Sequence, residues 1–340
     1  MFLSIAFLFG GTLPFWLPLQ SKSSLPSKTL IPHTIFDKPF VLYKEDNDSI
    51  RFIYDICPHQ GAYFSQGRLI GKEVQCPYHG FLFENGQLTR LHCSQQKVSS
   101  SKISVPSFPI LCSNNMIYFF PIDENQCETN DTIRQFYQMR PYEIPESTDP
   151  TFSKISGKMR LSYPIDMVVE NVLDMLHISY VHEFGNQDVP LPFNITYTQL
   201  NEFHGRTTFK YHSGKNSISN TIAESPIVTV ENEFYLPYTT VTRVIAGDYT
   251  KIVYTQSVPI NDHETVLHWS LYRNFWNEPL WIKDAGHYYL WRVMVSTLLE
   301  DQWILDRIDQ RRRRECHFMT VYDKTILHYR KCKKKIYFFI

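Results

Sequence analysis

The chain has 340 residues, enough for two ordinary domains or one large one. It is 43% hydrophobic and 20% charged, which builds a core and excludes a disordered chain. Lys plus Arg number 34 and Asp plus Glu number 34; this near-zero net charge argues against a general nucleic-acid binder, and no nucleic-acid partner is expected.

In chain order, residues 2–19 (FLSIAFLFGGTLPFWLPL) carry no charge. No basic segment precedes them, and Gly10, Gly11 and Pro14 interrupt the run. An extension packed on the first domain is expected, with a targeting or anchoring segment as the alternative. No other run reaches the roughly 18 apolar residues of a spanning helix, so the body reads as soluble, most simply cytoplasmic. An organellar or membrane-associated location is the alternative.

Residues 30–122 read as short strands. Phe40–Tyr43 and Ile50–Tyr54 flank the turn-rich Glu45-Asp46-Asn47-Asp48. Phe81-Leu82-Phe83 precedes the tight-turn pair Asn85-Gly86, and Met116–Phe120 closes the series. Residues 123–135 are polar and read as a linker. Residues 160–185 read as helical, 193–275 return to strands, and 286–314 read as one long helix. Seven cysteines are too few and too scattered for a disulfide scaffold, which favours a reducing compartment.

The strongest chemical signal is Cys57-Pro58-His59, then sixteen residues, then Cys76-Pro77-Tyr78-His79-Gly80. Each half supplies one thiol and one imidazole in the same order. Two such loops facing each other suit a two-iron cluster with Cys₂ on one iron and His₂ on the other. A Cys₂His₂ zinc site usually pairs cysteine with cysteine and histidine with histidine, so zinc fits the alternation less well.

A second signal is Glu170-Asn171-Val172-Leu173-Asp174-Met175-Leu176-His177-Ile178-Ser179-Tyr180-Val181-His182. A helix would set Asn171, Asp174 and His177 on one side. His182 stands about 140° round an ideal helix from His177, so both imidazoles reach one metal only if the helix ends or distorts near Ser179. Two histidines and a carboxylate on one octahedral face make the triad of non-haem Fe(II) oxygenases.

CPHQGAYFSQGRL…VQCPYHGFLFENG resembles the Rieske segment of ring-hydroxylating oxygenases over residues 14 to about 122. Relatives often carry a basic residue where this chain has Gln60; that removes no ligand. With the second motif, the chain resembles the catalytic subunits of Rieske oxygenases over most of its length. The motif E-N-x-x-D-M-x-H-x-x-Y-V-H is most similar to the monooxygenase and hydroxylase branch.

The resemblance implies an α+β fold: an all-β Rieske domain (residues 14–122), a linker (123–150), and a catalytic domain (151–340). That catalytic domain would be of helix-grip type, a long antiparallel sheet with a C-terminal helix. It implies one [2Fe-2S] cluster on Cys57, His59, Cys76 and His79, and one mononuclear Fe(II) on His177, His182 and Asp301. Glu300, Asp306 and Asp309 are the alternatives for the third ligand. Asn171 and Asp174 would be catalytic. Asp174 would bridge His177 of one subunit to His79 of its neighbour, which implies a cyclic oligomer, most simply a homotrimer.

The implied activity is a terminal oxygenase that hydroxylates or demethylates a bulky apolar substrate with O₂. A ring dioxygenase or a pure Rieske electron carrier are the alternatives. No Gly-rich dinucleotide fingerprint sits beside a βαβ unit, so a separate reductase or ferredoxin is expected. Candidate pocket residues are Phe184, Phe203, Phe234, Tyr235, Trp269, Tyr272, Phe275, Trp291, Met294 and Trp303. The basic runs Arg311–Arg314 and Arg330–Lys335 read as solvated helix ends or as docking for an acidic donor or a membrane surface.

Overall fold

Phe15, Leu17 and Leu19 alternate along the first described segment, and all three are buried in the computed structural model of the chain. Residues 14–91, 103–223, 226–310, 312 and 318–337 are described. Within the uncharged N-terminal run, residues 14–19 pack into the first unit, and residues 1–13 lie outside the described part. The chain divides into two compact units, one of residues up to Pro141 with Val258–Asn261, the other of Tyr142–Ser257 with residues from Asp262 on.

The first unit carries strands β1 (Leu17–Ser21), β2 (Ile31–Ile35), β3 (Lys38–Lys44), β4 (Ile50–Tyr54), β5 (Arg68–Ile70), β6 (Glu73–Gln75), β7 (Leu82–Glu84), β8 (Gln87–Arg90), β9 (Ile110–Ser113) and β10 (Met116–Phe119). They form three small sheets, ordered β1-β10-β9, β2-β3-β4 and β5-β6-β7-β8. The expected hairpins are present. β3 pairs with β4 across the acidic turn, and β7 with β8 across Asn85 and Gly86, both at positive φ as a tight primed turn requires. Val41, Ile53, Phe64, Val74 and Phe83 form the core beside Cys57 and Cys76.

The polar stretch expected to be a linker is instead helical: α1 (Glu124–Thr129) and α2 (Asp131–Gln138). The missed signal is Asn130, whose side chain accepts the Thr132 and Ile133 N–H groups as an N-cap.

The second unit is built on β11 (Ser153–Leu161), β12 (Phe193–Asn201), β13 (His204–His212), β14 (Ile227–Tyr235), β15 (Thr239–Ala246), β16 (Tyr249–Asn261) and β17 (Glu264–Arg273), in the spatial order β11-β17-β16-β15-β14-β13-β12. Its helices are α3 (Ile165–Leu173), α4 (Ile178–Val181), α5 (Ile218–Ala223), α6 (Leu280–Leu305) and α7 (Lys324–Tyr337). The start of the expected 160–185 helix is therefore strand, and the long C-terminal helix runs 280–305 rather than 286–314.

On α6, buried Gly286, Leu290, Met294 and Leu298 recur every four residues, and the last three meet Leu161, Leu267, Trp269 and Leu271 of β11 and β17. A Cβ on Gly286 would stand 2.9 Å from the Arg273 guanidinium. This close approach lets buried Arg273 donate to the carbonyls of Trp276 at 2.8 Å and Lys283 at 3.0 Å.

The second basic run lies on α7 and is partly used internally. Arg330 forks onto buried Glu170 with two 2.6 Å bonds, and Lys333 pairs with Asp166 over the Tyr238 ring. Lys334 and Lys335 remain exposed. Of the four-arginine run, only Arg312 is described. No helix among the described residues is long and apolar enough to cross a membrane.

Candidate metal centres

The two Cys-Pro loops of the first unit have the same backbone wiring. Cys57 N–H donates to the Ala62 carbonyl at 2.8 Å and Cys76 N–H to that of Phe81 at 2.9 Å. In return, Gly61 N–H donates to the Cys57 carbonyl at 2.9 Å and Gly80 N–H to that of Cys76 at 3.1 Å. Both glycines sit at positive φ, +78° and +71°, which closes each loop after its histidine.

The result is a polarised donor set. Both cysteines are buried at 2% exposure, while the two imidazoles lie towards solvent with Nδ1 atoms 3.1 Å apart. Burial pushes the Cys57 thiol up to about 11, and the neighbouring Cys76 adds to this against backbone N–H donors at its sulfur. Two buried thiols beside two converging ring nitrogens fit an iron–sulfur group whose cationic irons would favour the thiolates.

The second centre depends on a broken helix. The α3 helix stops at Leu173, and Asp174 caps it with extended backbone (ψ 128°). One turn, α4, then runs between His177 as N-cap and His182 as C-cap. Ser179 stays inside that turn; the distortion the spacing demanded comes at its end, where His182 leaves the helix on extended backbone (φ −95°, ψ 140°) and the two imidazoles turn towards one point. Their Nε2 atoms are 3.1 Å apart. Asp301, on α6, sets Oδ1 at 3.4 Å and 3.6 Å from them.

These three atoms form a compact face of donors. Cis ligands at metal distances of about 2.1 Å sit about 3 Å apart, so the set needs only slight contraction. Asp301 Oδ1 is buried without a hydrogen-bond partner, as a carboxylate oxygen awaiting a cation would be. Burial opposes charging of both rings. At His177 the Asp301 and Asp174 carboxylates outweigh burial and raise the pKa, whereas at His182 burial and the neighbouring His177 keep it low despite Asp301 and Glu300.

The alternatives for the third carboxylate have other partners. Glu300 Oε2 accepts from His182 Nδ1 at 2.7 Å, which fixes Nε2 towards the donor face. Asp306 accepts the Tyr163 hydroxyl, and Asp309 lies 3.9 Å from exposed Arg312. Asp174 accepts the Leu176 N–H at 2.8 Å through Oδ1 and holds Oδ2 3.9 Å from His177 Nδ1. Asn171 does not line the cavity beside the triad; its backbone carbonyl accepts the Asp174 N–H at 3.2 Å.

That cavity measures about 130 Å³ and is walled by the sheet, α4 and α6, with Val230, Val253, Leu271 and Leu298 among its apolar residues. It adjoins an outer cavity of about 330 Å³, sharing Phe184, Tyr211, Val244, Lys251, Val293 and Thr297 with it. Of the aromatic and Met candidates, Phe184 and Met294 line the inner space and Phe275 the outer. Phe234, Trp269 and Tyr272 are core, Tyr235 stacks on Tyr142 at 4.9 Å, and Trp291 and Trp303 are exposed. Phe203 lines neither cavity.

Lys251 and Glu300 were not foreseen in their present roles. Thr242 and Val244 on β15, and Lys251, Val253 and Thr255 on β16, alternate onto the cavity face. That alternation was the signal for Lys251.

Residues 15–109 match the Rieske [2Fe-2S] domain family, and residues 163–337 match the vanillate O-demethylase oxygenase C-terminal domain. The oxygenase component of dicamba O-demethylase from Stenotrophomonas maltophilia is 27% identical over 175 residues, 51% of this chain and 48% of that protein. Chloroplastic pheophorbide a oxygenase from Arabidopsis thaliana is 30% identical over 194 residues, 53% of this chain and 35% of that protein. These matches thus span under half the length of either relative.

Among solved structures, dicamba monooxygenase bound to dicamba superposes with a TM-score of 0.74 at 19% identity, covering 95% of this chain and 97% of that one. Pseudomonas putida CBB5 NdmA with caffeine gives 0.76 at 16% identity, covering 98% and 93%. At these identities the likeness shows the fold. The C-terminal family match spans half of the chain, the Rieske match precedes it, and the chain belongs to the Rieske non-haem iron oxygenases.

Proposed function

We propose that the protein is a terminal oxygenase that hydroxylates, or oxidatively demethylates, an apolar organic substrate using O₂ and electrons from a separate donor. The observation that carries this reading is the His177–His182–Asp301 donor face opening into an apolar cavity, in a chain that also holds a Rieske domain. Cys57, His59, Cys76 and His79 would hold the [2Fe-2S] cluster, and His177, His182 and Asp301 the mononuclear iron. When bound, the two groups would supply one-electron transfer and dioxygen activation.

The protein's own part is orientation and exclusion of water. Glu300 keeps the proton on His182 Nδ1, so that Nε2 presents a lone pair to the donor face. Asp301 contributes an anionic oxygen that no hydrogen bond occupies. The apolar walls strip water from the substrate and hold the bond to be oxidised at the mouth of the triad. In sum, R–H, O₂, two electrons and two protons give R–OH and water.

Asp174 is assigned the bridge to His79 of a neighbouring chain in a homotrimer, supported by the placement of its Oδ2 towards His177. A separate reductase or ferredoxin is assigned as donor, in keeping with a relative named as an oxygenase component. A cytoplasmic setting goes with these assignments, with an organelle as the alternative suggested by chloroplastic relatives.

The test is iron analysis with electron paramagnetic resonance on anaerobically purified protein, wild type and Asp301→Ala. About two cluster irons and one further iron per chain, with only the further iron lost in the variant, supports the reading. A normal Rieske signal without a third iron in the wild type leaves an electron carrier. Coupled NADPH oxidation by the chain alone would refute the separate donor.

A further inference from the structure

Lys251 is the one lysine among the residues lining the two cavities. Its ammonium lies 5.5 Å from the centroid of the Phe184 ring, and that ring stacks on the His182 imidazole at 4.8 Å with an interplanar angle of 19°. A cation, an aromatic plate and a residue of the donor triad thus follow one another along one wall. Among the described residues no carboxylate pairs with Lys251. Of the acids lining the two cavities, Glu300 holds His182, Asp174 and Asp301 stand beside the His177 and His182 rings, and Glu183 is exposed.

Lys251 is half-buried, and an unpaired cation partly withdrawn from water beside apolar walls carries a cost. Burial alone lowers the lysine pKa to about 8, with no neighbouring charge contributing. The cost is offset when a ligand brings the missing anion. Tyr211, buried and lining both cavities, stands as a neutral donor at the same junction.

We infer that Lys251 receives a carboxylate on the substrate, so that the substrate class is apolar organic acids anchored by their acid group and oxidised at a distant carbon. This deepens the oxygenase reading and rests on it. The carboxylate sits at the junction of the cavities, the apolar body fills the inner cavity, and the carbon to be oxidised faces His177, His182 and Asp301. Neutral substrates of the same shape would leave the ammonium unpaired and be rejected.

The test uses the holoprotein and matched probes, benzoate and 2-naphthoate against benzamide and 2-naphthamide, with dissociation constants from tryptophan quenching and calorimetry. Wild type is expected to bind at least one carboxylate about ten- to a hundredfold more tightly than its carboxamide. Lys251→Met should abolish the preference and Lys251→Arg should keep most of it; melting temperature reports folding of each. If no carboxylate is preferred in the wild type, or the preference survives in folded Lys251→Met, the inference is overturned.

Iron content of the same samples separates the two claims. Full iron loading without acid preference refutes the role of Lys251 alone. Acid preference in protein that cannot load the third iron supports the anion site and refutes the oxygenase reading.

Discussion

Glu300 and Asp301 are consecutive on α6, yet they address opposite nitrogens of one imidazole. Glu300 accepts a hydrogen bond from Nδ1–H of His182 at 2.7 Å, while Asp301 faces Nε2 at 3.6 Å. One step along a helix turns the side chain by about 100°, which lets one carboxylate orient the ring and the next join its donor face.

The two acids should therefore fail differently. Glu300→Leu should keep the third iron but weaken its affinity about ten- to a hundredfold, and Glu300→Gln, whose carbonyl oxygen can still accept the Nδ1–H hydrogen bond, should do so less. Titration with a ferrous chelator measures this. Loss of the Rieske signal in either variant would contradict a role confined to His182.

The glycines around the cluster loops separate backbone strain from collision. A Cβ on Gly61 would meet nothing within 4 Å, so Gly61→Ala should cost only the left-handed backbone penalty, about 1 kcal/mol. On Gly67 it would fall 2.0 Å from the Gln75 carbonyl oxygen, next to Cys76. Gly67→Ala should destabilise more and bleach the visible absorbance of the cluster. Melting curves followed at cluster wavelengths would rank the two.

Stability should depend on pH through Glu233. The carboxylate accepts from His204 at 2.6 Å and Arg206 at 2.9 Å and pairs with Arg243, which also bonds Glu146 at 2.6 Å. Burial pushes Glu233 up, but the His204 hydrogen bond and the two guanidiniums outweigh it and hold the pKa at about 2, against 4.5 for a free side chain. A depressed folded-state pKa stabilises above the unfolded value and fades as acid approaches the folded value. The gain is about 3 kcal/mol above pH 5 and should be lost between about pH 4.5 and 2. Urea unfolding from pH 6 to 3 should show this slope in the wild type and a flatter one in Glu233→Gln.

Behind the second centre, the backbone itself sets the position of Phe184. A Cβ on Gly214 would stand 2.1 Å from the Gly185 carbonyl oxygen and 2.8 Å from that of Phe184, whose oxygen accepts the Gly214 N–H at 2.9 Å. Gly214→Ala should push this strip towards the cavity and cost about 2 kcal/mol. Denaturation midpoints measure the loss, and ferrous affinity should fall with it as His182 shifts.

Much of this was legible in the chain. Both Cys-Pro-led segments and the spacing of His177 and His182 carried the chemistry, because ligand residues must recur at fixed intervals. The strands of residues 193–275 were legible as strands, whereas their spatial order was not. Helix bounds were less legible: Asn130 starts a helix in a segment too polar to suggest one, and β11 claims 153–161 by pairing with β17. The choice among Glu300, Asp301, Asp306 and Asp309 depended on contacts more than a hundred residues away, which local pattern does not encode. Lys251 looked like an ordinary strand residue, because alternation sets which face it shares with Val253 and Thr255 but not that this face lines a cavity.

The donor triad, drawn from the two ends of α4 and from α6, has a consequence for how the chain is maintained. His182 and Glu300 are 118 residues apart, and the triad draws its donors from both ends of that span. An ion bound there closes a long loop and stabilises only the folded chain. Iron supply would then govern survival as well as turnover: a chain made under iron starvation would open more often along α6 and be degraded sooner, so that its abundance would track the metal.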